Sequence, residues 1–135
     1  MKKIKIFLDD ERFPGWIYRG AKNRDWKIVR SVEEFKSLIN SLTPQDIEFI
    51  SFDNDLGADS SGNPLPEGKD AIKWLVDDKQ FDITNIETHV HSANWQAADF
   101  SQGLLNNWRR FLNAQTDEDI IREMVRKELE RKDLS

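Results

Sequence analysis

Apolar and polar positions switch along this chain between a period of two and a period near 3.6. Ile4-Lys5-Ile6-Phe7-Leu8 is a short run of β-formers that stops at Asp9-Asp10, as a buried strand does at a loop. Residues 11–25 hold Pro14, Gly15 and Gly20 without a sustained period and read as loop, with at most a short helical turn. Trp26-Lys27-Ile28-Val29 reads as a second strand. Ser31 with Glu34 forms a capping box, and Val32, Phe35, Leu38 and Ile39 follow at helical spacing until the chain nears Pro44. Residues 46–52 alternate as a third strand and run into Asp53-Asn54-Asp55-Leu56-Gly57. A loop dense in Gly and Pro follows over 57–68. Ala71, Ile72, Leu75 and Val76 then mark a helix of about three turns. A fourth strand is expected over Ile83–Val90, ending at His89-Val90-His91-Ser92. Asn94 reads as the N-cap of a long helix carrying Ala97 through Leu112. Thr116 with Asp119 is expected to open a separate final helix, about residues 117–132, whose stripe of Ile121, Met124, Val125 and Leu129 is narrow.

Strands that alternate with helices predict an α/β fold with a parallel sheet and right-handed crossovers. In such a sheet every carboxyl end lies on one edge, where ligands bind. Three strands here end in polar, metal-capable residues: Asp9-Asp10-Glu11, then Asp53 and Asp55, then His89, His91 and Ser92. Crowded carboxylates repel one another, and a bound cation removes that cost. Oxygen ligands favour Mg²⁺, Mn²⁺ or Ca²⁺, and an added imidazole tilts the choice toward Mn²⁺ or another transition metal. Such an ion can neutralise phosphate oxygens while a histidine moves a proton.

Composition narrows the setting. The 135 residues fit one domain, with a core at about 4–112 and a C-terminal helix beyond it. Cysteine is absent, which excludes disulfides, thiolate nucleophiles and Cys-ligated zinc. No apolar run approaches the roughly 20 residues of a membrane span, and Met1-Lys2-Lys3-Ile4 leads only to Asp9. The chain reads as soluble and cytoplasmic, with no membrane partner. A net charge of −5 argues against general nucleic-acid binding, although Arg19, Lys22, Arg24, Lys27 and Arg30 form a local basic stretch. That stretch reads as a solvated edge, or as a rim attracting an anion.

Several residues carry two readings. His91 lies nearest the loop and is the favoured acid/base. His89, expected deeper, reads better as a satisfied core histidine, with a paired acid/base arrangement of both as the sharper alternative. Arg12 can hold a phosphate in a bidentate fork or brace the carboxylates. Ser92 and Asn94 can donate to a phosphate at a helix start or simply cap it. Asp55 supports a metal or sits in a turn. Of the five tryptophans, Trp74 and Trp108 read as core. Trp16 and Trp95 lie near the expected site, where packing is the plainer reading and stacking on a base the sharper one.

Four motifs together resemble one family. They are Leu8-Asp9-Asp10-Glu11-Arg12-Phe13-Pro14, Asp53-Asn54-Asp55-Leu56-Gly57, Gly68-Lys69-Asp70 and His91-Ser92-Ala93-Asn94. They are similar to the cyclic-phosphate-processing receiver-like domains, a divergent branch of the response-regulator receivers. The resemblance implies a three-layer receiver, flavodoxin-like fold with a parallel sheet of about four strands in the order 2-1-3-4, flanked by helices, plus a C-terminal helix. It implies a divalent metal, Mg²⁺ or Mn²⁺, at Asp9, Asp10 and Asp53. His91 and Asp55 would be catalytic, and Arg12, Ser92, Asn94 and Lys69 would bind phosphate. The function implied is a phosphoesterase on a cyclic-phosphate or nucleotide substrate, with an RNA end as one such ligand. The family places a histidine where this chain has Asn54, which favours the alternative of a nucleotide sensor or sponge. A receiver-type phospho-switch on Asp53 is a further alternative, and the C-terminal helix offers a surface for a second copy.

Overall fold

The computed structural model describes residues 3–54, 61, 67–92 and 95–133. Four strands form its sheet: β1 (Ile4–Leu8), β2 (Trp26–Val29), β3 (Ile47–Asp53) and β4 (Glu87–His91). All pairs are parallel and the order is β2-β1-β3-β4. The helices are α1 (Pro14–Ile17), α2 (Val32–Asn40), α3 (Gly68–Lys73) and α4 (Trp95–Asp133). Between α3 and β4 the helix continues as one π-helical segment, Trp74–Asp78.

The alternation of side chains along each strand separates two faces. Ile6 and Leu8 of β1, Ile50 and Phe52 of β3 and Val90 of β4 share one face. Against it pack Val32, Phe35 and Ile39 of α2, Ala71 and Ile72 of α3, and Leu105 of α4. Most of these side chains are fully buried, each contributing roughly 1.5–3 kcal/mol over an exposed position. The register Lys5↔Trp26 and Lys5↔Phe49 puts Lys5, Phe7, Trp26, Phe49, Ser51, His89 and His91 on the other face. The segment between β1 and β2 covers that face through Tyr18, whose ring stacks on Trp26 and meets Phe49 and His89 edge-on. The outer layer on this side is therefore thin, because the first crossover is the loop that the sequence suggests.

Local chemistry follows the sequence closely in the first half. Ser31 accepts the amide of Glu34 as the N-cap of α2, while the Glu34 carboxylate reaches the Arg30 amide. Gly68 opens α3 against the end of β3, its amide donating to the Asn54 carbonyl. A Cβ at this position would sit 1.7 Å from the Asp53 carbonyl oxygen, so only glycine lets α3 start here.

Two expectations change in the second half. The fourth strand starts at Glu87 rather than Ile83, because the Asp82 carboxylate takes the Thr84 amide and hydroxyl in an Asx turn. The two helices expected after Asn94 are one helix of 39 residues. No glycine or proline lies beyond Gly103, so Thr116 stays inside a continuous hydrogen-bonded ladder. Among the described residues no helix is long and apolar enough to cross a membrane.

Gly68→Ala should cost about 2–3 kcal/mol in urea unfolding, since backbone must shift to admit the methyl group. Gly103→Ala, in α4 with nothing within 4 Å of the added Cβ, should instead stabilise by roughly 0.5–1 kcal/mol. Equal effects of the two substitutions would contradict this reading of the β3–α3 junction.

Candidate metal and phosphate site

Asp9 follows β1, Asp53 ends β3 and His91 ends β4, so all three lie at the carboxyl edge of the sheet. All three are buried, and each offers a ligand atom within 4.8 Å of the others. Two carboxylates and an imidazole at this separation suit a divalent ion.

Asp9 is the hub. Its Oδ1 accepts the amides of Glu11 and Arg12 at 3.0 and 2.8 Å. Its Oδ2 accepts Arg12 Nε at 2.8 Å and His91 Nε2 at 2.9 Å. Burial works against its charge, but the His91 bond, the two amides and the Arg12 guanidinium outweigh it. They hold the carboxyl well below the ordinary carboxylate range. Arg12 then reaches Asp53 Oδ1 with NH2 at 3.0 Å, so one guanidinium bridges both carboxylates. Arg30 fixes the loop from outside the cluster. Its NH1 donates to the carbonyls of Asp9 and Arg12, and its guanidinium lies over the Phe13 ring. The sequence placed Arg30 in a basic edge; its work is structural.

The histidines exchange the depths expected of them. His91 is buried, its ring stacked on Phe7 with centroids 4.6 Å apart, while His89 is exposed. The reason is lateral cover: the loop after β1 closes over the carboxyl edge, and the lower part of that face carries only Tyr18. Burial pushes the His91 pKa down, against the opposing pull of Asp9.

Ser51 and Tyr18, neither of them legible in the sequence as site residues, link the two histidines. Ser51 Oγ lies 2.6 Å from His91 Nδ1 and 2.6 Å from Tyr18 Oη, and Tyr18 Oη lies 2.7 Å from His89 Nδ1. The direction of the chain follows from its end. An ionised Asp9 only accepts, so His91 Nε2 donates to it. A neutral His91 then accepts at Nδ1 from the Ser51 hydroxyl. Tyr18 must donate to Ser51, and its oxygen accepts from His89 Nδ1. Burial raises the Tyr18 pKa and keeps this hydroxyl protonated, with the Glu87 charge adding to the effect. A serine inside a β-strand with a histidine pair two strand positions apart is the one sequence signal that pointed here.

Other expected residues lie at different distances from the hub. Asp10 is exposed and falls outside the buried trio. Lys69 is half-buried, its Nζ 3.5 Å from Glu67. Ser92 is half-buried beside His91 in sequence, and Asp55 and Asn94 lie outside the described residues. Asn54 accepts the hydroxyl of buried Ser101 at 2.8 Å, which ties the end of β3 to α4. Trp16 and Trp95 are about two-thirds exposed, at 66% and 68%, while Trp108 donates to the Phe81 carbonyl.

The lowered pKa of His91 fixes a pH dependence. Its unfolded form binds a proton below its ordinary value of 6.5, whereas the folded form resists it. Stability is therefore complete above about pH 6.5 and falls as the pH drops toward the lowered folded value. Asp9 adds a second loss below its ordinary value of 3.8. The urea midpoint should fall between pH 7 and pH 5, and His91→Gln should flatten that slope. An unchanged slope in the variant would assign the loss elsewhere.

Against known proteins, the chain matches no curated protein and no solved structure. It does match a family model, described as the cyclic-phosphate processing receiver domain, over residues 4–107. That span takes in all four strands, the Asp9–Asp53–His91 cluster and the proximal part of α4. The chain belongs to the cyclic-phosphate processing receiver domain family.

Proposed function

We propose that this domain is a metal-dependent phosphoesterase acting on a cyclic-phosphate or nucleotide substrate. The observation that supports it is the buried Asp9–Asp53–His91 cluster at the carboxyl edge of a sheet in a cyclic-phosphate processing family. Asp9 and Asp53 would hold the ion, Mg²⁺ or Mn²⁺, with Asp10 and Asp55 beside them. When bound, that ion would neutralise phosphate oxygens and polarise the ester.

The remaining roles fall to the chain itself. The Arg12 guanidinium now neutralises both carboxylates, a task that a divalent ion takes over. Arg12 is then free to grip phosphate with the same fork, together with Lys69, Ser92 and Asn94. His91 serves as the acid/base, held in one tautomer by Ser51 on its Nδ1 side. Water access is limited because the His91 side chain is 2% exposed.

A second reading has its own support. Asn54 stands where the family pattern has a histidine, and its side chain is engaged by Ser101 rather than turned to the cluster. A domain lacking that group fits a sensor or sponge that binds a nucleotide without cutting it. Phosphorylation of Asp53 as a receiver switch is less favoured, since Arg12 already occupies its oxygen and the carboxylate is buried.

Incubation with cyclic nucleotides, 2′,3′-cyclic phosphates and Mn²⁺ should yield linear monophosphates by mass spectrometry. Asp53→Asn should abolish metal-dependent turnover, and His91→Gln should lower kcat by about 100-fold or more. Tight binding without product would establish the sensor. Labelling by acetyl phosphate that disappears in Asp53→Asn would establish the switch.

A further inference from the structure

The helix α4 carries a feature that the proposed chemistry does not use. Leu112 is its last residue packed against the core, and every side chain from Glu118 to Arg131 is exposed. Five large apolar residues stand in that exposed stretch: Ile120, Ile121, Met124, Val125 and Leu129, each more than half accessible. Isolated helices of this length are marginal in water, and protruding apolar side chains add a solvation cost. Both costs are relieved by a partner.

The position of the stripe points to its kind. Ile121 lies nine residues beyond Leu112, about two and a half turns, which places it on the opposite side of the helix from the core-facing row. Along that outer side, Phe100, Phe111, Ala114, Ile121 and Val125 are separated by 11, 3, 7 and 4 residues, all sums of three- and four-residue steps. This is a coiled-coil seam about 40 Å long that faces away from the domain, where a second helix meets no obstruction. The family match stops at residue 107, short of most of it.

Charge selects the occupant and its direction. Residues 118–131 hold five acidic and four basic side chains, so the stretch lacks the positive excess that draws a helix to an anionic membrane. A second copy lying antiparallel about Ala114 sets Arg110 against Asp119 and Asp99 against Arg131. A parallel copy sets each charge against its own like. We propose that the outer face of α4 is a self-association surface, on which two copies of this chain form an antiparallel helical pair centred near Ala114.

Sedimentation equilibrium on the full chain at about 1–100 μM should give twice the monomer mass of 15.8 kDa. The double variant Ile121→Glu/Val125→Glu should weaken association by at least about 30-fold while far-UV circular dichroism and the urea midpoint of the domain persist. Direction is read by crosslinking, for which the cysteine-free chain is suited. Ala114→Cys should form an intermolecular disulfide and Leu129→Cys should not. A wild-type monomer throughout the range, a double variant that still dimerises, or efficient crosslinking at both positions would overturn the proposal.

Discussion

A carboxylate with no solvent exposure survives as an ion only where several donors replace the water it has lost. Asp9 meets that demand with two backbone amides, the Arg12 guanidinium and the His91 imidazole. Removing any one of them leaves a buried charge undercompensated, a cost of several kcal/mol in typical proteins. The loop after β1 is therefore folded back on its own aspartate. Arg12 is aimed at Asp53, His91 is pinned in one tautomer, and the three strand ends are drawn together. The same contacts that stabilise the edge are those that a divalent ion would replace, which makes stability and ligand binding compete for Asp9 and Asp53.

The order of the sheet makes this convergence possible. With β1 beside both β2 and β3, and β4 beside β3, residues 82 positions apart in the chain meet at 2.9 Å. Gly68 completes the edge by admitting the start of α3 against the Asp53 backbone. Ser51, one turn of the pleat below, then carries the polar network down the sheet face through Tyr18 to His89. A buried polar chain of this kind is stable because each hydrogen has an acceptor, and its direction is set by the charge at one end. Among the described residues no buried side-chain polar atom lacks a partner.

Helix α4 divides the molecule differently. Its proximal part belongs to the domain: Leu105 enters the core, Trp108 bonds to the Phe81 carbonyl, and Arg109 bonds to Ile86 and Thr88. Its distal part shares none of this packing and turns its apolar side outward. Ser101 couples the proximal part to the site through Asn54, so the element that carries the outward stripe also braces the end of β3.

The sequence by itself determined the strands, their order in the chain and the carboxylate-rich endings, because alternation, caps and abrupt Asp pairs are local signals. β1 and β2 lie where their apolar runs lie, and Ser31 caps α2 as its spacing with Glu34 required. Asp9, Asp53 and His91 were legible for the same reason: each ends a run. What the sequence missed was decided across the sheet. Burial of His91 and exposure of His89 depend on which side of the loop each strand position falls, and two residues of identical type and face cannot reveal that. Ser51 and Tyr18 gain their roles only from partners 40 and 71 residues away, respectively, so no local pattern marks them. The fusion of two expected helices into one was likewise tertiary and cooperative, since a ladder with no glycine or proline after Gly103 propagates through a residue that elsewhere would cap.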